Sequence, residues 1–194
     1  LFVTFNLNST NMNKKILTPG FTYVVTVIVL AAVARLIPHW PNFTPVAAIA
    51  LFGGTYIGKK YLAFVVPLAA LFLSDVILGF YGMMPAVYIS FILIVCIGFV
   101  LRRNVNPGTV VAASLSGSVL FYLITNFAAW LASPLYPQNV QGLLQSYIAG
   151  LAFFNNGSYG ISFFLNEVIG SLFYNGLLFG SYYLARLRFP ALVR

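Results

Sequence analysis

Hydrophobic residues in this chain run in long blocks, and the polar residues fall almost entirely between them. Six apolar runs cover residues 20–37, 44–57, 61–80, 86–101, 110–132 and 161–187. None alternates with a strand period, so each is expected to be a helix, and a span needs about 20 residues to cross about 30 Å of hydrocarbon. Four runs meet that length and the run 86–101 is slightly short. The run 44–57 reaches only about 21 Å at about 1.5 Å per residue, which by length alone suits a re-entrant segment.

The basic residues decide how these runs are threaded. Lys14/Lys15, Lys59/Lys60, Arg102/Arg103 and Arg186/Arg188/Arg194 each stand at the end of an apolar run. If all six runs cross, nine of the ten Lys/Arg lie on one side and only Arg35 lies toward the other. Basic loops stay in the cytoplasm, so the pattern predicts a bundle of six transmembrane helices with both termini inside and a short second helix. Local thinning, or snorkelling by Lys59 and Lys60, would accommodate that short span. Residues 1–19 then form a cytoplasmic tail, 20–187 the transmembrane domain and 188–194 a basic cytoplasmic tail. Met12-Asn13-Lys14-Lys15 looks like a natural start, with 1–11 as an upstream extension or a fragment edge.

Composition supports the same class. Of 194 residues, 61% are hydrophobic and 6% charged, with two acids against ten Lys/Arg. Soluble domains carry about a quarter charged residues, so this chain could not cover a globular surface. The net charge of +8 is spread over the run ends rather than gathered in a patch, which argues against nucleic-acid binding. Cys96 is alone, which excludes a disulfide framework and a Cys-rich metal site. With so few acids and one His no conventional metal ligand set is expected. There is no P-loop and no cofactor motif.

Within this topology the outer side holds the informative groups. Arg35 ends the first run, His39 sits in the first outer loop, Asp75 lies near the outer end of the third run and Glu167 near the outer start of the sixth. Ionisable residues within spans usually face a cavity or a partner. Arg35 and Asp75 suit either a structural ion pair or the lining of a site. Glu167 suits either snorkelling or ligand contact. The loop Pro38-His39-Trp40-Pro41-Asn42-Phe43-Thr44-Pro45 is stiffened by three prolines. Thr44-Pro45 is expected to cap and begin the second helix, beside a pocket rim of His39, Trp40 and Asn42. The uncharged segment 133–160 contains an apolar stretch, 143–154, too short to cross; it is read as a lid or an interfacial helix over the outer mouth. Small-residue pairs Ala50/Gly54, Ser114/Ser118 and Gly176/Gly180 predict close helix packing. The sequons at Asn42 and Asn156 are read as chance.

The stretch Arg35-Leu36-Ile37-Pro38-His39-Trp40-Pro41-Asn42-Phe43-Thr44-Pro45-Val46, followed by Ala50-Leu51-Phe52-Gly53-Gly54, resembles a family of small bacterial membrane proteins. That family is related to the substrate-binding S components of energy-coupling factor (ECF) vitamin transporters. Ser74-Asp75, Thr125-Asn126-Phe127 with Trp130, and Tyr136-Pro137 resemble it too. The resemblance implies a six-helix protein of the bacterial inner membrane that is no enzyme. It implies uptake of a vitamin-like solute through an outer pocket, with a transmembrane T subunit and two ATPase subunits as partners. A vitamin B12 branch carries a cysteine after the third helix. Here that region is Phe80-Tyr81-Gly82-Met83-Met84, so a thiolate role does not carry over and Met83 or Met84 offers a weaker sulfur contact. The expected pocket is His39, Trp40, Asn42, Asp75, Tyr81, Met83, Tyr88 and Glu167. A non-transporting scaffold is the competing reading; it requires Arg35 and Asp75 to be paired and the outer cavity to be filled by side chains. An intramembrane enzyme is the third, with Ser118 far from the only His.

Overall fold

The computed structural model describes residues 18–152 and 162–193, and the apolar runs within them are helices. The segment with Lys14 and Lys15, the second sequon and Arg194 lie outside the described residues. Among the described residues seven α-helices follow one another: α1 (Pro19–Ala34), α2 (Val46–Tyr56), α3 (Lys60–Leu78), α4 (Met84–Leu101), α5 (Pro107–Ala132), α6 (Val140–Ala152) and α7 (Phe163–Arg188). No strand occurs among the described residues. Helices α3, α4 and α5 are long and apolar enough to cross a membrane. Helix α7 has 26 residues but carries Asn166, Glu167 and Asn175 inside and Arg186 and Arg188 in its last turn, which lowers its apolarity.

Local chemistry sets the helix ends. Thr18 accepts from the Phe21 N–H and Pro19 begins α1. At its far end the Leu36 and Ile37 N–H groups bond three residues back, a tightening turn that closes the helix before Pro38. Helix α5 opens on a reciprocal box in which the Asn106 and Thr109 side chains each accept the other's backbone N–H. Ser162 caps α7 through the Leu165 N–H. The cap expected from Thr44 does not form. Helix α2 starts after Pro45 with no side-chain cap. Asn42 adopts a left-handed φ of 62° and its carbonyl takes the Thr44 N–H, which turns Thr44 aside.

The short helix is the centre of the bundle. Every residue from Val46 to Thr55 is buried, and α1, α3, α4, α5 and α7 all pack against it. Its 11 residues are thus enclosed along their flanks by the other helices. The tightest contact is the crossing of α2 over α4. A Cβ on Gly98 would lie 2.6 Å from the Leu51 carbonyl oxygen and 2.8 Å from Gly54 Cα, so the two backbones touch. On the opposite side a Cβ on Gly53 would meet the Pro67 ring at 2.6 Å, which seats the proline of α3. The carbonyls at the end of α2 are met by Arg102, whose Nη2 donates to Gly54 O at 2.6 Å and Ile57 O at 2.8 Å. This arginine, expected only as a topological charge, is a C-terminal cap that also complements the helix dipole.

Two expectations change. Gly176 and Gly180 face open space, with nothing within 4 Å of an added Cβ, so this small-residue pair makes no close contact here. Residues 190–193 do not trail away as a free tail. Pro190–Val193 is a short helical turn folded back on α1, where Leu192 O accepts from Tyr182 Oη at 3.3 Å and covers Gly20.

Replacing Gly98 with Leu is expected to lower stability by an amount at or above the upper end of the roughly 1–3 kcal/mol usual for overpacking. Thermal unfolding in detergent would show it as a lowered Tm, while Gly180→Ala does not lower Tm. Arg102→Ala is expected to cost roughly 1.5–3 kcal/mol by leaving the α2 carbonyls without their charged donor. A Tm equal to wild type would show that this cap contributes nothing.

Candidate functional site

At the end of the bundle away from Arg102 and Arg186, Asp75 is fully buried within α3. Arg35 Nη1 donates to Asp75 Oδ1 at 2.5 Å and to Ser74 Oγ at 2.5 Å. Tyr88 Oη donates to Asp75 Oδ2 at 2.9 Å. Both carboxylate oxygens are therefore engaged. A buried carboxylate without such partners would be prohibitively costly. Tyr81 lies over this pair. Burial and the Asp75 charge push its phenol above the ordinary range, with Arg35 pulling the other way, so it remains an O–H donor at neutral pH.

The connection 38–45 is clasped to the start of α7. Asn42 Nδ2 donates to Phe163 O at 3.4 Å and Asn166 Nδ2 to Pro41 O at 3.0 Å. Gly170 leaves room for the Phe43 backbone, since a Cβ there would come within 3.0 Å of Phe43 Cα. The Phe43 ring packs on Phe173 and Tyr174 with centroids 5.7 Å away in each case. These contacts set the connection against α7 as a wall.

Two adjoining cavities open beside it. One, of about 340 Å³, is bordered by Arg35, Thr44, Tyr81, Met83 and Val87. The other, of about 190 Å³, is bordered by Tyr122, Asn126, Gly150, Phe163, Phe164 and Glu167. They share Asn42, Phe121 and Thr125 as a common divide. Helix α6 covers the second. Tyr122 Oη donates to Tyr147 O, Tyr147 Oη to Leu123 O at 3.1 Å, and Gly150 sits directly on the Asn126 side chain. Trp130 Nε1 and Gln138 Nε2 tie the connection into α6 back onto α5. A larger hollow of about 550 Å³ between α4 and α5 is lined by aliphatic side chains and Ser116. The Ser116 hydroxyl bonds its own helix at Ala112 O, so nothing there orients a ligand.

The eight expected site residues therefore divide. Asn42, Tyr81, Met83 and Glu167 border the cavities. Asp75 and Tyr88 stand behind Arg35 and hold it. His39 is exposed and bonds Ile37 O through Nδ1 at 2.6 Å, and Trp40 is exposed and packs edge-on to Phe43, so neither borders a cavity described here. Sequence reasoning missed Phe121, Tyr122, Thr125, Asn126 and Phe164. The signal available was Thr125-Asn126 within an apolar run, read only as a motif.

The sequence profile of a family of unknown function, DUF6580, matches residues 15–192. The chain belongs to that family. No curated protein and no solved structure matches it. The geometry must therefore carry the functional reading.

Removing the cation tests the role of the ion pair. Arg35→Leu is expected to cost about 3–5 kcal/mol by stranding a buried carboxylate, and Asp75→Asn in the same chain restores much of the loss. Equal stabilities of the single and double variants would show that the two side chains are not coupled.

Proposed function

We propose that this protein is a multi-pass membrane protein that binds a small solute in the paired cavities near its outer face. The observation that carries the reading is the pair of adjoining cavities itself. They are walled by fixed aromatic groups and furnished at opposite ends with Arg35 and Glu167, the mixture of apolar walls and few polar groups typical of small-molecule sites. The scaffold reading shares the Arg35–Asp75 pair but calls for an outer cavity filled by side chains, and the open volume favours solute binding over it.

In this reading α1, α2, α3, α4, α5 and α7 are the six spans, with both termini in the cytoplasm. The end holding Lys59, Lys60, Arg102 and Arg186 is the inner one, as the distribution of basic residues supports. The resemblance to ECF S components supports uptake of a vitamin-like solute across a bacterial inner membrane, with a T subunit and two ATPases supplying energy. Helix α6 is the lid.

Native mass spectrometry of gently solubilised protein is expected to reveal a co-purified small molecule. Thr125→Phe, which places a ring in the divide between the cavities, is expected to lose that mass, whereas Gly180→Ala retains it. A protein that stays empty after incubation with a panel of vitamins including cobalamin would sink the solute-binding reading and favour the scaffold.

A further inference from the structure

The two acids are treated differently by the fold, and the difference bears on what the cavities hold. Asp75 has an arginine against it. Glu167 is as deeply placed, 4% exposed, yet among the described residues no Lys, Arg or His pairs with it. Its one hydrogen bond within them is a long one, Ser118 Oγ donating to Oε1 at 3.4 Å. Glu167 borders the smaller cavity, together with four aromatic residues, Phe121, Tyr122, Phe163 and Phe164. Ring faces carry negative electrostatic potential, and so does a carboxylate, so both favour a cation in that space. A carboxyl removed from water must either take up a proton or meet a cation, and the described residues supply no cation there.

Building on the solute-binding reading, we propose that the solute is an organic cation whose protonated amine or quaternary ammonium nitrogen seats between Glu167 and the surrounding rings. Its other end crosses the Asn42–Thr125 divide into the larger cavity. There Arg35 and the Tyr81 hydroxyl are donors, so that end is an acceptor and not a second cation. Neutralising Glu167 is then part of binding, and the empty carboxyl is the reason the site prefers a charged ligand over a neutral one of the same shape.

The test is thermal unfolding of the purified full chain with tetramethylammonium, choline and ethylammonium chlorides. Sodium chloride at equal ionic strength and 3,3-dimethylbutan-1-ol, the uncharged carbon analogue of choline, serve as comparisons. At least one organic cation is expected to raise Tm, by roughly 3–6 °C at ten times its Kd, with neither comparison doing so. Glu167→Gln is expected to abolish the shift while the unliganded protein keeps its Tm. Phe164→Leu leaves the carboxyl in place and is expected to weaken the apparent affinity about 3-fold or more. The comparison of choline with its carbon analogue in wild-type protein needs no variant to fold.

Equal stabilisation by the uncharged analogue, or no shift from any of the three cations, overturns the proposal. So does a shift with sodium chloride that is lost in Glu167→Gln, which would make the site one for an inorganic cation. A neutral or purely anionic solute found by native mass spectrometry would overturn this proposal and leave the solute-binding reading standing. An empty protein would remove both.

Discussion

The close crossing of α2 and α4 is the constraint on which the rest of the structure depends. Gly54 and Gly98 let two backbones meet, and that approach draws an 11-residue helix into the middle of the bundle. Once there, α2 is shielded on every side, its last carbonyls are taken by Arg102, and its first turn begins beneath the larger cavity, where Val46 and Thr44 form part of the wall. In an apolar surrounding little hydrophobic force holds helices together, so close packing and satisfied backbone groups must do so. A bulkier residue at the crossing would displace the helix that sets the floor of the site.

Charge is organised around that frame in two unlike ways. Arg35 is spent partly on structure: Asp75 and Ser74 of α3 hold it at the edge of one cavity, and Tyr88 of α4 holds Asp75 in turn. Among the described residues Glu167 has a single weak hydroxyl contact, at the edge of the other. Fully satisfied networks rigidify a fold, whereas an incompletely satisfied one in a cavity is where a ligand's own groups gain most. The clasp of the 38–45 connection on α7 joins the two, because Asn42 borders both cavities while bonding Phe163 O.

The legible part of the site was the part that stood out against its background. Arg35, Asp75 and Glu167 are rare charges in apolar runs, and each was placed at the site end from sequence. Tyr81, Met83 and Asn42 were found because they fall in the connections there. The prolines around His39 and Trp40 drew attention to a loop that turned out to be a wall, with both side chains facing away. Phe121, Tyr122 and Phe164 went unseen because an aromatic residue in an apolar helix looks the same in sequence whether it meets lipid, core or a cavity.

By itself the sequence determined the number and place of the apolar helices within its described residues, the short length of α2, the side on which the basic groups gather and the presence of a helix in the connection before α7. These follow from composition and local period, which act within a few turns of chain. Tertiary structure alone decided that α2 is central, that Arg102 closes it, that Gly176 and Gly180 leave open space where a side chain would stand, and that Asp75 is spent on Arg35 while Glu167 is not. Each of those depends on which faces of distant helices meet, and in a chain apolar on nearly every face the hydrophobic pattern cannot distinguish one face from another.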